Sequence, residues 1–283
     1  MNKPYLRKPE WLKVKIPIGE AFVKVKSIVE DNHLHTICTS GKCPNIAECW
    51  TAGTATFMIL GDICTRSCKF CNVKTAKPLP PDPNEPSNLA LSVQKMKLKH
   101  CVITSVDRDD LSDGGANHWK NSINAVKGLN PKTTIEILIP DFQNKEGALG
   151  IVLSANADVV SHNLETVERL SPLVRNKAKY AYSLEVLRQI ALSGTPAKSG
   201  IMLGLGETEN EIYKTMDDLL NVGVSIFTIG QYLQPNSSLL PVEEYISPEI
   251  FDKYKNIGLS KGFLFVESSP LVRSSYHAEK HLK

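Results

Sequence analysis

The sequence predicts an α/β protein, a partial (β/α)6 barrel whose N- and C-terminal extensions cover its open face. Three observations predict it. Short apolar runs rich in β-branched residues recur from about Phe57 onward, stretches with helical periodicity separate them, and about six such units are visible. Strand and helix in regular succession argue for a parallel sheet with right-handed crossovers, which leaves a doubly wound sheet or a barrel. Six units favour an incomplete barrel over the closed eight-unit form.

Strands are predicted near residues 57–60, 101–104, 134–139, 157–161, 199–203 and 225–229. Helices are predicted over 164–174, 184–192 and 209–222. In the last of these, Asn210, Glu211, Asp217 and Asp218 break up an apolar set at Ile212, Met216, Leu219 and Leu220, the pattern of one buried helix face. The strands run into polar or Gly-rich phrases: Thr104 to Asp110, Pro140-Asp141, His162 to Glu165, Gly204 to Glu207, and Gly230 to Tyr232. In parallel α/β folds the carboxyl ends of the strands build the site, so five such phrases in register point to functional side chains gathered on one rim. Residues 77–86 hold too many prolines for a helix or central strand and are expected to run extended over the surface. The expected division is an N-terminal extension over 1–52, the barrel over 53–262 and a C-terminal extension over 263–283.

Hydrophobic residues make up 42% of the 283 positions and charged residues 22%, which argues against disorder along most of the chain. A net charge of +3 does not mark a nucleic-acid binder. Basic residues do concentrate early: Lys3, Arg7, Lys8, Lys13, Lys15, Lys24 and Lys26 against Glu10 and Glu20. No apolar run approaches the roughly 18–20 residues of a membrane span, and no apolar core with a small-residue cleavage site opens the chain. The expectation is a cytoplasmic protein with neither membrane nor nucleic acid as a partner.

Without an export signal the cysteines meet a reducing compartment, where clustered thiols bind metal or do redox chemistry. Six of the seven lie between Cys38 and Cys71, while Cys101, in a predicted strand, is expected to be a buried small hydrophobe. Directly after the first strand, Cys64, Cys68 and Cys71 have the spacing C-x3-C-x2-C. Three thiolates on one short loop can hold three irons of a 4Fe-4S cubane and leave the fourth open for chemistry. Zinc with a distant fourth ligand is the alternative for the same thiols. The upstream set, Cys38, Cys43 and Cys49, is spaced C-x4-C-x5-C, lies outside the barrel and also leaves one position unfilled; zinc or isolated buried thiols would explain it too.

The C-x3-C-x2-C loop, with Phe70 just before its last cysteine, resembles the signature of the radical S-adenosylmethionine superfamily. The two cysteine sets in this order resemble the lipoyl synthase family within it. Further phrases similar to that family are Thr104 to Leu111 with Asp113-Gly114-Gly115-Ala116, Pro140-Asp141-Phe142, His162 to Thr166, Lys198 to Glu207, Gly230 to Leu233, and Arg273-Ser274-Ser275-Tyr276-His277-Ala278. The likeness extends roughly from Lys8 to Ala278.

The resemblance implies two 4Fe-4S clusters and S-adenosylmethionine as cofactors. One cluster would sit on Cys64, Cys68 and Cys71, with the methionyl group of S-adenosylmethionine on its open iron. An auxiliary cluster would sit on Cys38, Cys43 and Cys49, with a serine of the C-terminal phrase, Ser275 in preference to Ser274, as its last ligand. A hydroxyl ligand is harder and weaker toward iron than a thiolate, which suits a cluster that gives up its sulfur. Phe70, Ser105, Asp107, Asn163 and Glu165 are the candidates for contacts to S-adenosylmethionine. The implied reaction is sulfur insertion at C6 and C8 of a protein-bound octanoyl-lysine, begun by a 5'-deoxyadenosyl radical. The implied partners are octanoylated lipoyl carrier domains, of a 2-oxoacid dehydrogenase E2 or the glycine cleavage H protein, and an electron donor such as ferredoxin or flavodoxin. Lys13 and Lys15 in the basic arm would suit an acidic carrier. The nearest alternatives are a biotin synthase or tRNA methylthiotransferase type of sulfur insertion, or a non-catalytic zinc-binding module.

Overall fold

The computed structural model describes residues 6–14, 19–143, 145–276, 278 and 279. Lys3, Lys15 and His277, named above, lie outside the described residues. Ten strands and ten α-helices are described. The strands are β1 (His35–Thr36), β2 (Thr56–Ile59), β3 (Ile63–Cys64), β4 (Lys74–Thr75), β5 (His100–Ser105), β6 (Thr134–Leu138), β7 (Val159–Ser161), β8 (Ala197–Leu203), β9 (Ile226–Gln231) and β10 (Phe265–Ser268). The helices are α1 (Glu20–Asp31), α2 (Ile37–Ser40), α3 (Ile46–Thr51), α4 (Glu85–Met96), α5 (Ala116–Leu129), α6 (Ala148–Leu153), α7 (Ser171–Val174), α8 (Tyr180–Leu192), α9 (Glu209–Asn221) and α10 (Pro248–Lys261).

Eight strands form one sheet in the order β1-β2-β5-β6-β7-β8-β9-β10. All neighbours are parallel except β1, which pairs antiparallel with β2 through His35↔Met58 and Thr36↔Phe57. The six predicted strands are β2 and β5 to β9, each followed by helix, so the partial (β/α)6 barrel is the observed fold. β1 and β10 stand at opposite ends of the sheet, which therefore stays open. α1 and α3 pack through Phe22 and Trp50, whose rings lie 5.0 Å apart, and the chain after β10 crosses back to α3 and the turn before it, where Asn45 Nδ2 donates to Leu271 O (2.7 Å) and Tyr276 Oη to Glu48 Oε1 (3.1 Å). Among the described residues no helix is long and apolar enough to cross a membrane.

Local chemistry explains several boundaries. Thr208 and Glu211 close a reciprocal capping box at the start of α9. Gly262, at φ +119°, ends α10 in the left-handed region. The phrase Asp113 to Ala116 starts a helix: Asp113 accepts from the N–H groups of Gly115 and Asn117 (2.9 Å each), and a Cβ at Gly115 would stand 2.5 Å from Leu60 Cδ1. The proline-rich stretch runs without regular structure until Pro86 enters the first turn of α4.

One predicted helix is corrected. Over 164–174 the backbone first continues beside β8, with Glu165 N–H donating to Gly200 O (3.0 Å) and Met202 N–H donating to Glu165 O (2.8 Å). Glu165 sits at φ +67°, so helix cannot begin there; only a 3-10 turn at Glu168–Leu170 and the short α7 follow. Sheet pairing overrides the helical periodicity of this segment.

The interior is closed by Trp119, Phe227, Phe251 and the aliphatic faces of the helices, with Cys101 wholly buried among them. Lys198 on β8 and Glu136 on β6 meet at 2.6 Å, both 1% exposed or less, on strands that are not neighbours. Removing one member of a buried pair strands the other's charge, typically at about 3–5 kcal/mol. Glu136→Gln is therefore expected to lower the unfolding free energy by about that amount, read as a fall in the denaturant midpoint; an unchanged midpoint would show the pair to be dispensable.

Candidate active site

Cys64 ends β3, whose pairing with β4 holds the entry of the cysteine loop (Ile63↔Lys74, Cys64↔Thr75). The loop lies across the carboxyl ends of the barrel strands and is tied down on several sides. Thr65 N–H and Oγ1 both donate to Asp107 O (3.0 and 2.9 Å). Lys69 N–H donates to Val174 O (2.9 Å), Leu240 N–H donates to Lys69 O (3.0 Å), and Asn176 Nδ2 donates to Ser67 Oγ (2.8 Å).

The strongest tie is Arg66, whose side chain is 3% exposed. Its guanidinium donates to both oxygens of Asp109 (2.9 and 2.7 Å) and pairs with Asp141 Oδ1 (2.7 Å) and Asp107 Oδ1 (3.3 Å). Burial opposes its charge, but the three carboxylates outweigh burial and hold it protonated more firmly than a free arginine. One buried cation shared by carboxylates from the phrases after β5 and β6 thus fixes the loop to the rim. The sequence signal for it is an arginine inside the cysteine loop facing an aspartate-rich phrase, which spacing within the loop does not reveal.

Cys64, Cys68 and Cys71 share this rim with Asp107 and Glu165. Cys64 Sγ donates to Asp107 Oδ2 at 3.6 Å. Burial pushes the thiols of Cys64 and Cys71 up to about 11 and that of Cys68 up to about 12, with the neighbouring carboxylates adding to the shift. Burial also raises Asp107 to about 6, aided by Asp141 and Asp109 and opposed by Arg66. Phe70 is half-buried against the core. Asn163 and Glu165 follow β7. Burial raises the Glu165 carboxyl above its usual range, while Arg175 and the Asn163 side chain favour its charge. Arg175, another residue absent from the sequence expectations, donates to Asn163 O and Ser183 Oγ (3.1 Å each); burial lowers its pKa, and Glu165 and Cys68 offset part of that shift. Beside them His162 bridges Ile139 O and Ser183 Oγ (2.9 Å each), and burial lowers it to about 4, so it is neutral near pH 7.

The rim is left with polar atoms to spare. Ser105 Oγ, Asp141 Oδ2 and Asn163 Oδ1 are buried without a hydrogen-bond partner among the described residues. Buried polar atoms are normally satisfied, so three of them at the carboxyl ends of β5, β6 and β7 fit a polar ligand held on the rim.

Cys38, Cys43 and Cys49 lie on and between α2 and α3, and Asn72, just after the rim loop, donates to Ser40 O of α2 (2.9 Å). Burial raises Cys38 to about 11 and Cys49 to about 12, and raises Cys43; Cys43 adds to the shift of Cys38, and both add to that of Cys49, so the three lie in one electrostatic group. The half-buried guanidinium of Arg273 is the cation beside Cys43. Thr56 joins this group to the C-terminal segment. Its backbone bonds the Cys38 thiol, and its Oγ1 donates to Ser275 Oγ at 2.8 Å. Ser274 points elsewhere: its Oγ accepts from Asn163 Nδ2 at 2.7 Å. The structure thus brings Cys64, Cys68 and Cys71 together with Asp107 and Glu165, with Asn163 bonded to Glu165, and links Ser275 to Cys38 through Thr56.

All seven cysteines are free thiols. Among the described residues no three His, Cys, Asp or Glu side chains converge on a single-ion position; the thiolates of a cubane each hold a different iron and need not meet at one point. Three thiols with a spare coordination position on the rim, and three thiols plus a hydroxyl in the extension, are donor sets that fit two iron-sulfur cubanes.

Residues 58–219 match the Radical SAM superfamily, and residues 1–43 match the N-terminal domain of lipoyl synthase of the Radical SAM family. The chain is 61% identical over 278 residues to a lipoyl synthase of Parabacteroides distasonis, covering 98% of this chain and 99% of that protein. It is 60% identical over 276 residues to a lipoyl synthase of Treponema denticola, covering 98% and 95%. Among solved structures the fold is similar to Streptococcus suis SuiB (TM-score 0.59, 10% identity, 80% of this chain and 53% of that one). It is also similar to methylornithine synthase (TM-score 0.56, 13% identity, 75% and 70%).

Proposed function

We propose a division of labour for the residues of a chain that belongs to the lipoyl synthase family of radical S-adenosylmethionine enzymes. The enzyme is a sulfurtransferase that inserts sulfur into an octanoyl chain to form the lipoyl cofactor, acts on lipoyl carrier domains, and uses S-adenosylmethionine and iron-sulfur chemistry. Near-full-length identity of this order sets aside the biotin synthase, methylthiotransferase and zinc-module alternatives.

In the proposed division, Cys64, Cys68 and Cys71 hold a 4Fe-4S cluster with one iron open to S-adenosylmethionine, and Cys38, Cys43, Cys49 and Ser275 hold a second. When bound, the first supplies the electron that cleaves the sulfonium, and the second supplies the sulfur. The chain's own task is placement. Arg66 and its carboxylates fix the rim loop, so the thiols meet the iron in one geometry. Asn163, Glu165, Ser105 and Asp107 present hydrogen-bonding groups to the methionyl and ribose parts of S-adenosylmethionine, and Phe70 limits water at the last thiol. Burial keeps all six thiols protonated in the cluster-free chain near neutral pH, so assembly must release protons and depends on iron to stabilise the thiolates. Arg175 beside Cys68 and Arg273 beside Cys43 lower the cost of gathering that negative charge.

The same proposal covers place and partners: an extension over 1–52 for the auxiliary site, a barrel over 53–262 for the radical site, a C-terminal extension over 263–283, a cytoplasmic setting, E2 or H-protein carriers, and a ferredoxin or flavodoxin donor. Lys13 of the basic arm pairs with Glu10 at 2.6 Å, an exposed contact that a carrier's carboxylates can replace.

The observation that carries the choice of Ser275 is Thr56, in contact with both the Cys38 thiol and the Ser275 hydroxyl. A hydroxyl donor aimed at Ser275 Oγ would stabilise it as an anionic ligand. Ser275→Ala is expected to cleave S-adenosylmethionine at close to the normal rate while lipoyl product falls about 100-fold or more, measured with an octanoyl-lysine peptide by mass spectrometry. Equal loss of both activities would remove Ser275 from the auxiliary site.

A further inference from the structure

The segment after β10 is a strap seated on both halves of the molecule. Gln231 N–H donates to Pro270 O (3.2 Å) and Asn45 Nδ2 donates to Leu271 O (2.7 Å). At Gly230, on β9, a Cβ would stand 2.1 Å from Val272 O and 3.3 Å from Arg273 Nη1, so only glycine lets the strap lie this close to the barrel. Tyr276 N–H donates to Arg273 O (2.8 Å), closing a turn that contains the two serines, and Tyr276 Oη reaches Glu48 Oε1 on α3 (3.1 Å).

That turn sends two adjacent hydroxyls to opposite halves. Ser275 meets Thr56 and, through it, the Cys38 group. Ser274 meets Asn163, whose side chain also bonds Glu165 and whose carbonyl accepts from Arg175, both beside the rim cysteines. The rim and the N-terminal extension are therefore connected by two neighbouring residues of one tight turn.

We propose that Ser274 is a positioning residue: with Asn163 and the close seat at Gly230 it fixes the strap to the radical half, and so sets where the sulfur donor stands relative to the place where the substrate radical forms. The inference rests on the reading that Ser275 and the three upstream cysteines hold the auxiliary cluster. Capture of a carbon radical by sulfur depends on proximity, and a misplacement of about 1 Å is enough to cost about 100-fold in a positioned reaction. A loosened strap leaves radical formation intact and lets capture fail.

The test compares reconstituted wild type with Ser274→Ala, Ser274→Thr and Gly230→Ala. In each we would measure iron content, the electron paramagnetic resonance signal of the reduced rim cluster, 5'-deoxyadenosine released per lipoyl product, and amide exchange over 270–276. Ser274→Ala is expected to keep iron content, resonance signal and cleavage rate, to raise the ratio of 5'-deoxyadenosine to product about five- to tenfold, as loss of one hydrogen bond allows, and to speed exchange in the strap. Ser274→Thr, which keeps the hydroxyl, should restore the ratio, and Gly230→Ala should raise it without touching either serine. A normal ratio in Ser274→Ala would overturn the proposal. So would loss of about four irons in that variant, which would make Ser274 the ligand. A wild type that itself reconstitutes only one cluster would instead strike the underlying assignment, whatever the variants do.

Discussion

Cys68→Ala is expected to abolish formation of 5'-deoxyadenosine, and with it lipoyl product, by roughly 10⁶-fold or more, while leaving the protein folded. The thiol lies between Cys64, Cys71, Asp107 and Glu165, and its loop is held by contacts that do not involve its sulfur. Cys68 is half-buried, so removing one sulfur opens no core cavity of the kind that costs several kcal/mol. Without the third thiolate the rim site cannot hold an iron-sulfur cubane open at one iron, and breaking an unactivated C–H bond has no acid-base substitute among the side chains present. The measurement is anaerobic incubation with S-adenosylmethionine and reductant, followed by chromatography for 5'-deoxyadenosine, with a denaturation midpoint as the folding control. Undiminished cleavage in this variant would refute the assignment of the rim loop.

How far the sequence alone reveals this arrangement depends on whether the signal is local. The two cysteine sets are legible because each is a short run in which three thiols recur within a dozen residues. The six barrel strands are legible because strands buried on both faces, such as Ile226–Gln231, read as apolar runs. Short edge strands carry no such signal: His35–Thr36 has two residues, and Phe265–Ser268 is buried on one face only. Glu165 deceives because its segment has helical spacing while its backbone pairs with Gly200 and Met202. Arg66 is invisible for a different reason. Its cage is assembled from Asp107, Asp109 and Asp141, which only the turn of the barrel brings to one point. The same holds for Thr56, a buried strand residue with no distinguishing neighbour in sequence, whose importance comes from the strap that folds back onto it. Local spacing names the candidate ligands; tertiary packing supplies what orients them.

Cys43→Ala is expected to give the complementary loss, and the pairing of the two variants tests the division more sharply than either alone. Cys43 shares an electrostatic environment with Cys38 and Arg273 and is not among the main causes of the shifts of the rim thiols. Its removal should therefore reduce iron from about eight to about four per chain and leave cleavage of S-adenosylmethionine within a few-fold of normal. The octanoyl peptide should gain no sulfur, because the carbon radical then has no sulfide within reach. If the rim alone could recruit sulfur from solution, added sulfide would restore product in this variant in proportion to its concentration. The strap argues against that outcome: Tyr276, Asn45, Thr56 and Asn163 tie it across both halves, so a cluster held as proposed would present its sulfur from a fixed place. Freely diffusing sulfide lacks the effective concentration that such placement provides, which in oriented systems reaches about 10⁵ M or more. Mass spectrometry of the peptide with and without added sulfide separates the two cases, and restoration by sulfide would show the auxiliary thiols to be a store and not the point of transfer.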